Sequence, residues 1–264
     1  MSFRTIEISN PRFEPEFLRF ITVKSSNLNG RGDIVLFVPD TPDTSKIPLI
    51  ILLHGVYGSA WSWALSTGVH QITHSMIENG TIQPVAIAMP SDGLWGDGSG
   101  YLPHDGRNFE KWIVDDVPAA VTEAAQIDTN RNRLFISGLS MGGFGALRLG
   151  IKYQPLFAGI SAHSSITAME QMSLFVEEPI EQYAQQNPLE NSVWGIIEQS
   201  KYTTPPLRFD CGSEDPLINF NRKLHKKLTE FKIQHHYQEF PGGHDWSYWQ
   251  QHIVKTLLFF NDLH

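Results

Sequence analysis

The sequence predicts an α/β fold, with a mostly parallel, twisted sheet of about eight strands and helices on both of its faces. Short and nearly continuous apolar runs, such as Leu49–Leu53 and Val85–Met89, are typical of strands that are covered on both sides. Amphipathic segments alternate with these runs along the chain, which indicates repeated strand–helix–strand units. With 264 residues, the chain is long enough to bury a full core without disulfides.

The strands are predicted from apolar runs that turn-forming residues bound on either side. In chain order they are Phe17–Val23, Asp33–Val38, Leu49–Leu53, Val85–Met89, Leu134–Ser137, Ala158–Ala162, Leu207–Asp210 and Ile233–Phe240. Only the turn-rich segment Ser25–Gly32 separates the first two strands. Because no helix fits between them, we expect these two strands to form an antiparallel edge of the sheet.

Helices are predicted where apolar residues recur at spacings of three and four. Trp112–Ala125 has such a face, and Pro118 is expected to kink this helix or to delay its start. A second helix covers Leu217–Phe231, with Pro216 suited to its first position, and a third covers Trp249–Phe260.

Two segments do not fit the alternation of strands and helices. Ser91–Asn108 is rich in glycine and aspartate, which predicts a long loop. Ser165–Thr204 is polar with scattered apolar residues, which predicts a small helical cap inserted into the domain. Neither segment requires a second domain, so residues 1–264 are expected to form one.

Composition and charge exclude several classes of protein. A net charge of −8 argues against a nucleic-acid-binding surface, and the longest apolar stretches are too short to cross a bilayer. The segment Met1–Phe13 lacks the basic and apolar parts of a secretory signal. The single cysteine, Cys211, excludes an intrachain disulfide. We therefore expect a cytoplasmic protein without nucleic-acid or membrane partners.

One motif predicts a catalytic nucleophile. The segment Gly138-Leu139-Ser140-Met141-Gly142 has the pattern G-x-S-x-G and lies between a predicted strand and a predicted helix. A serine on such a sharp turn has a strained backbone, and the flanking glycines remove side chains that would collide. The hydroxyl group of Ser140 is then exposed above the carboxyl edge of the sheet. An ordinary glycine-rich turn is the simpler alternative.

A serine nucleophile needs a base and an acid, which follow it in the order acid, then histidine, in this kind of fold. Asp215 lies just beyond the strand Leu207–Asp210, and His244 lies on the glycine-rich loop after the last strand. Glu214 is the alternative acid. Asp245, next to the histidine, is expected to cap the last helix instead.

Two backbone N–H groups are expected to bind the oxyanion of the tetrahedral intermediate. One belongs to Met141, directly after the nucleophile. The other is assigned to Val56, on the loop after the strand Leu49–Leu53, where His54 is expected to have a structural role. No cysteine and histidine spacing is typical of zinc, and H-E-x-x-H is absent, so no metal or cofactor is expected.

Four motifs together resemble the esterase D family of α/β-hydrolases. They are Leu53-His54-Gly55, Gly138-Leu139-Ser140-Met141-Gly142-Gly143, Gly212-Ser213-Glu214-Asp215 and Gly243-His244-Asp245-Trp246. The similarity runs from about Asp33 to Phe260. It implies the α/β-hydrolase fold, a triad of Ser140, Asp215 and His244, and an oxyanion hole at Val56 and Met141. The family includes S-formylglutathione hydrolases, feruloyl and acetyl esterases, tributyrin esterases and mycolyltransferases.

The resemblance favours a serine carboxylesterase for short-chain acyl esters, including aryl esters. The segment Gly55-Val56-Tyr57-Gly58 lacks the cysteine that is common there in S-formylglutathione hydrolases, and the loop 91–101 is similar to that of small bacterial acyl esterases. A thioesterase, an acyltransferase and a non-catalytic binding protein stay open as alternatives.

Aromatic residues near the predicted site are candidates for contact with a small ester substrate. Tyr57, Trp95 and Trp246 lie on loops or helix starts at the carboxyl ends of the strands. Packing between loop and core is an equally common role for such side chains. Apolar residues of the predicted cap could also form a contact between copies of the chain, so a homo-oligomer is among the expectations.

Overall fold

The structure, a computed structural model, describes residues 3–15, 17–129 and 133–264. Within these residues nine strands form one sheet and two form a hairpin. The strands of the sheet are β1 (Phe3–Ile8), β2 (Leu18–Ser25), β3 (Gly30–Phe37), β4 (Leu49–Leu53), β5 (Ala86–Pro90), β8 (Leu134–Leu139), β9 (Gly159–His163), β10 (Leu207–Gly212) and β11 (His236–Phe240), and those of the hairpin are β6 (Pro103–His104) and β7 (Arg107–Asn108).

The order of strands brings the chemically active segments to one edge of the sheet. That order is β1-β2-β3-β5-β4-β8-β9-β10-β11. The neighbouring pairs along β5-β4-β8-β9-β10-β11 are all parallel, whereas the pairs β1–β2, β2–β3 and β3–β5 are antiparallel. The carboxyl ends of β4, β8, β10 and β11 therefore lie at the same edge, which is where open parallel sheets bind ligands.

The antiparallel pairing of the first two predicted strands is confirmed, but they do not form the edge. β1 lies outside β2, which gives the sheet one strand more than the sequence predicts. Four of the six residues of β1 are exposed, so this strand has little apolar signal. The last strand begins at His236 and not at Ile233, because the N–H of Ile233 donates to Leu228 O (2.9 Å) at the end of the preceding helix.

Helices cover both faces of the sheet, as predicted. They are α1 (Ser62–Thr67), α2 (Val69–Glu78), α3 (Phe109–Lys111), α4 (Val117–Ala125), α5 (Met141–Lys152), α6 (Val193–Gln199), α7 (Ile218–Glu230) and α8 (Trp246–Asn261). Buried residues of α1, α2 and α8 form the core on one face, and those of α4, α5, α6 and α7 form the core on the other. The helix predicted to start at Pro216 starts two residues later.

The expected irregularity at Pro118 is present. A π-helical turn, Trp112–Asp116, joins α3 to α4, and the N–H of Val117 donates to Trp112 O across five residues. Pro118 has no N–H to continue an α-helical ladder, so a regular helix begins only at Val117.

The segment between β9 and β10 consists mainly of short helical turns. Besides α6 it contains three 3-10 helices, Met169–Leu174, Ile180–Tyr183 and Pro188–Asn191. A buried ion-pair network attaches it to the helix that follows Ser140. In that network Arg148 of α5, which is fully buried, donates to the carboxylates of Glu110 and Glu190 at 2.5 Å each.

The other 3-10 helices and the hairpin lie in connecting segments. The 3-10 helices are Pro11–Phe13 and Thr44–Lys46. The predicted loop Ser91–Asn108 contains the short hairpin of β6 and β7. Within the three described ranges, no helix is long and apolar enough to cross a membrane.

Candidate active site

Ser140 lies on a strained turn between β8 and α5. Its backbone angles are φ 53° and ψ −118°, a conformation that residues other than glycine rarely adopt. A β-carbon at Gly138 would collide with Gly142 O, and one at Gly142 would collide with Leu53 O. The two glycines of the motif are therefore required by close backbone approach, as the sequence predicts.

The backbone of Ser140 is held on both sides by the last residue of β9 and the segment that follows it. Its N–H donates to His163 O (3.0 Å), and its carbonyl oxygen accepts from the N–H of Ile166 (3.2 Å). Ser164, which lies between them, also has a positive φ of 46° and is fully buried. These contacts fix the strained turn in place.

Ser140, His244 and Asp215 form a continuous chain of hydrogen bonds. His244 Nε2 lies 2.9 Å from Ser140 Oγ, and His244 Nδ1 lies 2.8 Å from Asp215 Oδ2. The side chain of Asp215 is completely buried and that of His244 is 16% exposed. The other oxygen of Asp215 accepts the N–H of Leu217 (2.8 Å), which fixes the orientation of the carboxylate.

The other acidic residues near the predicted site, including the alternative acid Glu214, have other positions. Glu214 is exposed, and it is Asp215 that bonds to His244. Asp245 caps α8, where its side chain accepts the N–H of Tyr248 (3.0 Å), as predicted. Asp210 lies within β10 and bonds to a different histidine, His163.

Two aromatic rings that the sequence did not indicate as site residues contact His244. Phe175, in the segment between β9 and β10, stacks on the imidazole with centroids 4.9 Å apart and an interplanar angle of 23°. Trp249 of α8 meets the imidazole edge-on at 5.0 Å. The spacing of Trp249 indicated only a core position, and Phe175 is one of the scattered apolar residues of the segment 165–204, where no motif indicated a site.

The loop after β4 lies directly against Ser140. A β-carbon at Gly55 would lie 3.3 Å from Ser140 Cβ. Gly98 packs against the side chains of both Val56 and Met141, since its β-carbon would lie 3.5 Å from Val56 Cγ1 and 2.5 Å from Met141 Sδ. The N–H of Met141 opens α5 and has no partner within that helix.

His54 holds this loop, as expected from the sequence. It is 2% exposed, its Nδ1 lies 2.7 Å from Gly55 O, and its Nε2 accepts the N–H of Asp92 (3.1 Å). Because Nε2 accepts, Nδ1 carries the proton and donates to the carbonyl. Tyr101 adds a hydrogen bond from its hydroxyl to His54 O (3.0 Å).

The three predicted substrate-binding aromatics have different surroundings. Tyr57 is 67% exposed, and its hydroxyl donates to Asp97 Oδ2 (3.2 Å). Trp95 packs against the ring of Tyr183 at 5.5 Å and donates to Asp105. Trp246 packs edge-on against the tryptophans at positions 63 and 249, and the second of these rings also contacts His244.

A second group of polar side chains is buried beside the first. His163 Nδ1 lies 3.0 Å from Asp210 Oδ1, and His163 Nε2 lies 2.8 Å from Thr256 Oγ1. Arg208 donates to Asp210 Oδ2 (2.6 Å), and the hydroxyl of Tyr248 donates to Oδ1 (2.9 Å). Burial raises the pKa of Asp210, but the stronger effect of His163 and Arg208 holds this pKa at about 2.

The arrangement around Ser140 is suited to nucleophilic acyl transfer. It combines in series a hydroxyl on the turn that opens α5, an imidazole and a carboxylate. Among the residues that the structure describes, no three histidine, cysteine, aspartate or glutamate side chains are placed to hold a metal ion.

Sequence comparison identifies related proteins. The model of the Esterase family, described as "Putative esterase", matches residues 25–260. An acetyl esterase from Caldicellulosiruptor saccharolyticus is 30% identical over 233 residues, which cover 81% of this chain and 84% of that protein.

Structural comparison identifies the same fold in solved structures. A ferulic acid esterase superimposes with a TM-score of 0.81 at 21% identity, covering 99% of this chain and 100% of the other. An S-formylglutathione hydrolase from Staphylococcus aureus gives a TM-score of 0.79 at 16% identity, covering 96% and 99%. These similarities confirm the α/β-hydrolase fold expected from the sequence.

Proposed function

Because the chain belongs to the Esterase family, we propose that it is a serine carboxylesterase that hydrolyses short-chain acyl esters with Ser140, His244 and Asp215 as its triad. The observation that carries this proposal is the position of His244, whose two ring nitrogens lie 2.9 Å from Ser140 Oγ and 2.8 Å from Asp215 Oδ2. One imidazole can therefore accept the serine proton while the carboxylate stabilises the cation that forms.

Acylation begins when Ser140 Oγ attacks the ester carbonyl and its proton passes to His244 Nε2. The carbonyl oxygen becomes an oxyanion, for which the backbone N–H groups of Val56 and Met141 are the proposed donors. His244 then gives its proton to the departing alkoxide. The products are the free alcohol and an ester of Ser140.

Deacylation repeats these steps with water. His244 takes a proton from water as the water oxygen attacks the Ser140 ester, and the same N–H groups stabilise the second oxyanion. Return of the proton to Ser140 Oγ releases the carboxylic acid and restores the free enzyme. Asp215 keeps Nδ1 protonated throughout, so Nε2 always faces the reaction.

The segment 165–204 is proposed as a cap over this site, because its Phe175 stacks on His244. The related acetyl esterase supports a small acyl group as the substrate class. A thioesterase or an acyltransferase would use the same triad with another leaving group or acceptor. The cytoplasmic location and the homo-oligomer inferred from the sequence stay predictions.

Hydrolysis of p-nitrophenyl esters from acetate to palmitate, by wild type and by Ser140→Ala, tests the proposal. We expect wild-type rates to be highest for the short esters, and the variant to lose about 10⁴- to 10⁶-fold in turnover rate with unchanged circular dichroism. Ser75→Ala, at an exposed position of α2, is the matched control and should keep full activity.

Two outcomes would contradict the proposal. Retention of most ester hydrolysis by Ser140→Ala would remove Ser140 from the mechanism. Turnover of thioesters alone, or acyl transfer to added alcohol in preference to water, would replace hydrolysis of esters by one of the alternative reactions.

A further inference from the structure

Three carboxylates lie together between the loop after β4 and the segment after β9, and we call them the acidic rim: Asp97, Glu177 and Glu178. The side chain of Asp97 accepts the hydroxyl of Tyr57 (3.2 Å) and the N–H of Glu177 (2.7 Å). Its backbone carbonyl accepts the N–H of Tyr57 (2.8 Å), and its backbone N–H donates to Glu178 Oε1 (2.9 Å). Asp97 thus joins the two segments through four hydrogen bonds.

The acidic rim is next to both halves of the proposed catalytic machinery. Tyr57 directly follows Val56, and Gly98, next to Asp97, packs against the Val56 side chain. On the other side, Phe175 precedes Glu177 by two residues and stacks on His244. The rim is therefore hydrogen-bonded to the residue that follows Val56, and it lies two residues along the chain from the ring that stacks on His244.

The described part of the protein shows no ion pair to the carboxylates of the rim. The nearby Asp105, in contrast, pairs with Arg107. Desolvation and these carboxylates raise the pKa of the Tyr57 phenol. In addition, Oε2 of Glu178 is buried and has no hydrogen-bond partner among the described residues.

We propose that the acidic rim is a specificity determinant that disfavours esters whose alcohol portion carries a negative charge, so that the enzyme prefers uncharged or cationic alcohol portions. This inference rests on the proposed esterase function. The alcohol departs beside His244, where an anionic group would approach three unneutralised carboxylates, and like charges in one site repel. The same field attracts a cationic group.

Three acetate esters of similar size and different charge test the inference. Acetylcholine carries a positive charge, 3,3-dimethylbutyl acetate is its uncharged analogue, and 2-acetoxyethanesulfonate carries a negative charge. We expect the wild-type kcat/KM to be lowest for the sulfonate, and the gap to narrow as salt is raised from low to high concentration.

Neutral substitutions in the rim separate its effect from the intrinsic reactivity of each ester. Glu177→Gln should remove the charge without disturbing the structure, because the Glu177 side chain is exposed. The hydrogen bond to Asp97 comes from the backbone N–H of Glu177 and is kept in this variant. We expect it to raise kcat/KM for the sulfonate by about twofold to threefold, to lower that for acetylcholine by a similar factor, and to leave the uncharged ester unchanged. Asp97→Asn should act in the same direction.

Glu123→Gln on α4, the helix that packs against β2 and β5, is the matched control for a loss of one negative charge. It should leave all three rates unchanged. Ser140-dependent hydrolysis with the same charge preference in wild type and both rim variants would overturn the role of the rim while keeping the esterase. Absence of Ser140-dependent hydrolysis of any ester would overturn both.

Discussion

Two hydrogen-bond chains, each running from an aspartate through a histidine to a hydroxyl group, lie side by side in this molecule. Only one of the two has the surroundings of a catalytic site. Asp215, His244 and Ser140 are linked at 2.8 and 2.9 Å. Asp210, His163 and Thr256 are linked at 3.0 and 2.8 Å, with nearly the same connectivity. The residue types and distances therefore do not distinguish the two chains.

Their surroundings do distinguish them. The carboxylate of Asp210 is already paired with Arg208, whereas Asp215 has no cationic partner other than His244 in the described part of the protein. The hydroxyl of Thr256 is also bonded to Ser161 (2.6 Å) and to Arg208 (3.1 Å). Thr256 lies inside α8 and not at its N-terminus, where backbone N–H groups lack partners within the helix. A nucleophile needs an available lone pair and a base whose carboxylate partner is not shared with another cation, and the first set of residues fits these requirements better than the second.

Replacing Asp215 or Asp210 by asparagine should give the largest difference between the two hydrogen-bond chains. Asp215→Asn should lower kcat by roughly 10⁴-fold with little change in stability, because the histidine loses its orienting acceptor. Asp210→Asn should keep kcat within a few fold and cost about 3–5 kcal/mol of unfolding free energy, because it leaves the buried charge of Arg208 unpaired. Ester hydrolysis and urea unfolding of both variants measure the two effects.

The reverse pattern would show that the assignment of roles is wrong. If Asp210→Asn lost activity while its unfolding curve matched wild type, the buried chain would take part in catalysis. If Asp215→Asn kept its rate, the acid would have to be sought at Glu214.

The pH dependence of the unfolding free energy tests whether ionised Asp210 stabilises the fold. Its pKa is about 2 in the folded protein, against about 3.9 for an unfolded chain. Because its pKa is lower in the folded protein, ionised Asp210 stabilises the fold by about 3 kcal/mol above about pH 5, and this contribution is lost as the pH falls from about 5 to about 1. Unfolding free energies from urea titrations across this range should fall less steeply in Asp210→Asn than in wild type. Equal slopes would mean that Asp210 ionises alike in both states.

Thr256→Val tests the hydroxyl of the buried chain with a smaller expected effect. Valine has the same shape but cannot accept from Arg208, so that buried donor loses a partner, and His163 and Ser161 also lose one. We expect a loss of about 1–2 kcal/mol in unfolding free energy and an unchanged kcat at temperatures where the variant is folded. A large fall in kcat, on the order of the loss expected for Asp215→Asn, would contradict a purely structural hydroxyl. Ser140→Ala, which should lose only activity, is the corresponding variant in the first chain.

Much of the site could be predicted from the chain because its signals are local. The glycines on either side of Ser140 are required by backbone contacts within a few residues of sequence or with the adjacent strand β4. Asp215 and His244 each follow a strand, and parallel strands bring such positions to one edge. The family expected from these motifs is confirmed by the match over residues 25–260.

Other parts of the molecule could be recognised only in the tertiary structure. β1 escaped prediction because its side chains are mostly exposed, so pairing with β2 and not apolar burial defines it. Phe175 lies 69 positions from His244 in a polar segment, and no periodicity indicates that it stacks there.

The sequence by itself determined the proposed order of nucleophile, acid and base, because the turn residues and the strands that precede them can be recognised from neighbouring residues. Only the tertiary structure showed that a second aspartate, Asp210, is bonded to another histidine, His163. Asp210 and Asp215 are five residues apart, but the first points into the core beside Arg208 and the second faces His244. That difference depends on the neighbours each side chain meets across the sheet, and residues distant in the chain supply them.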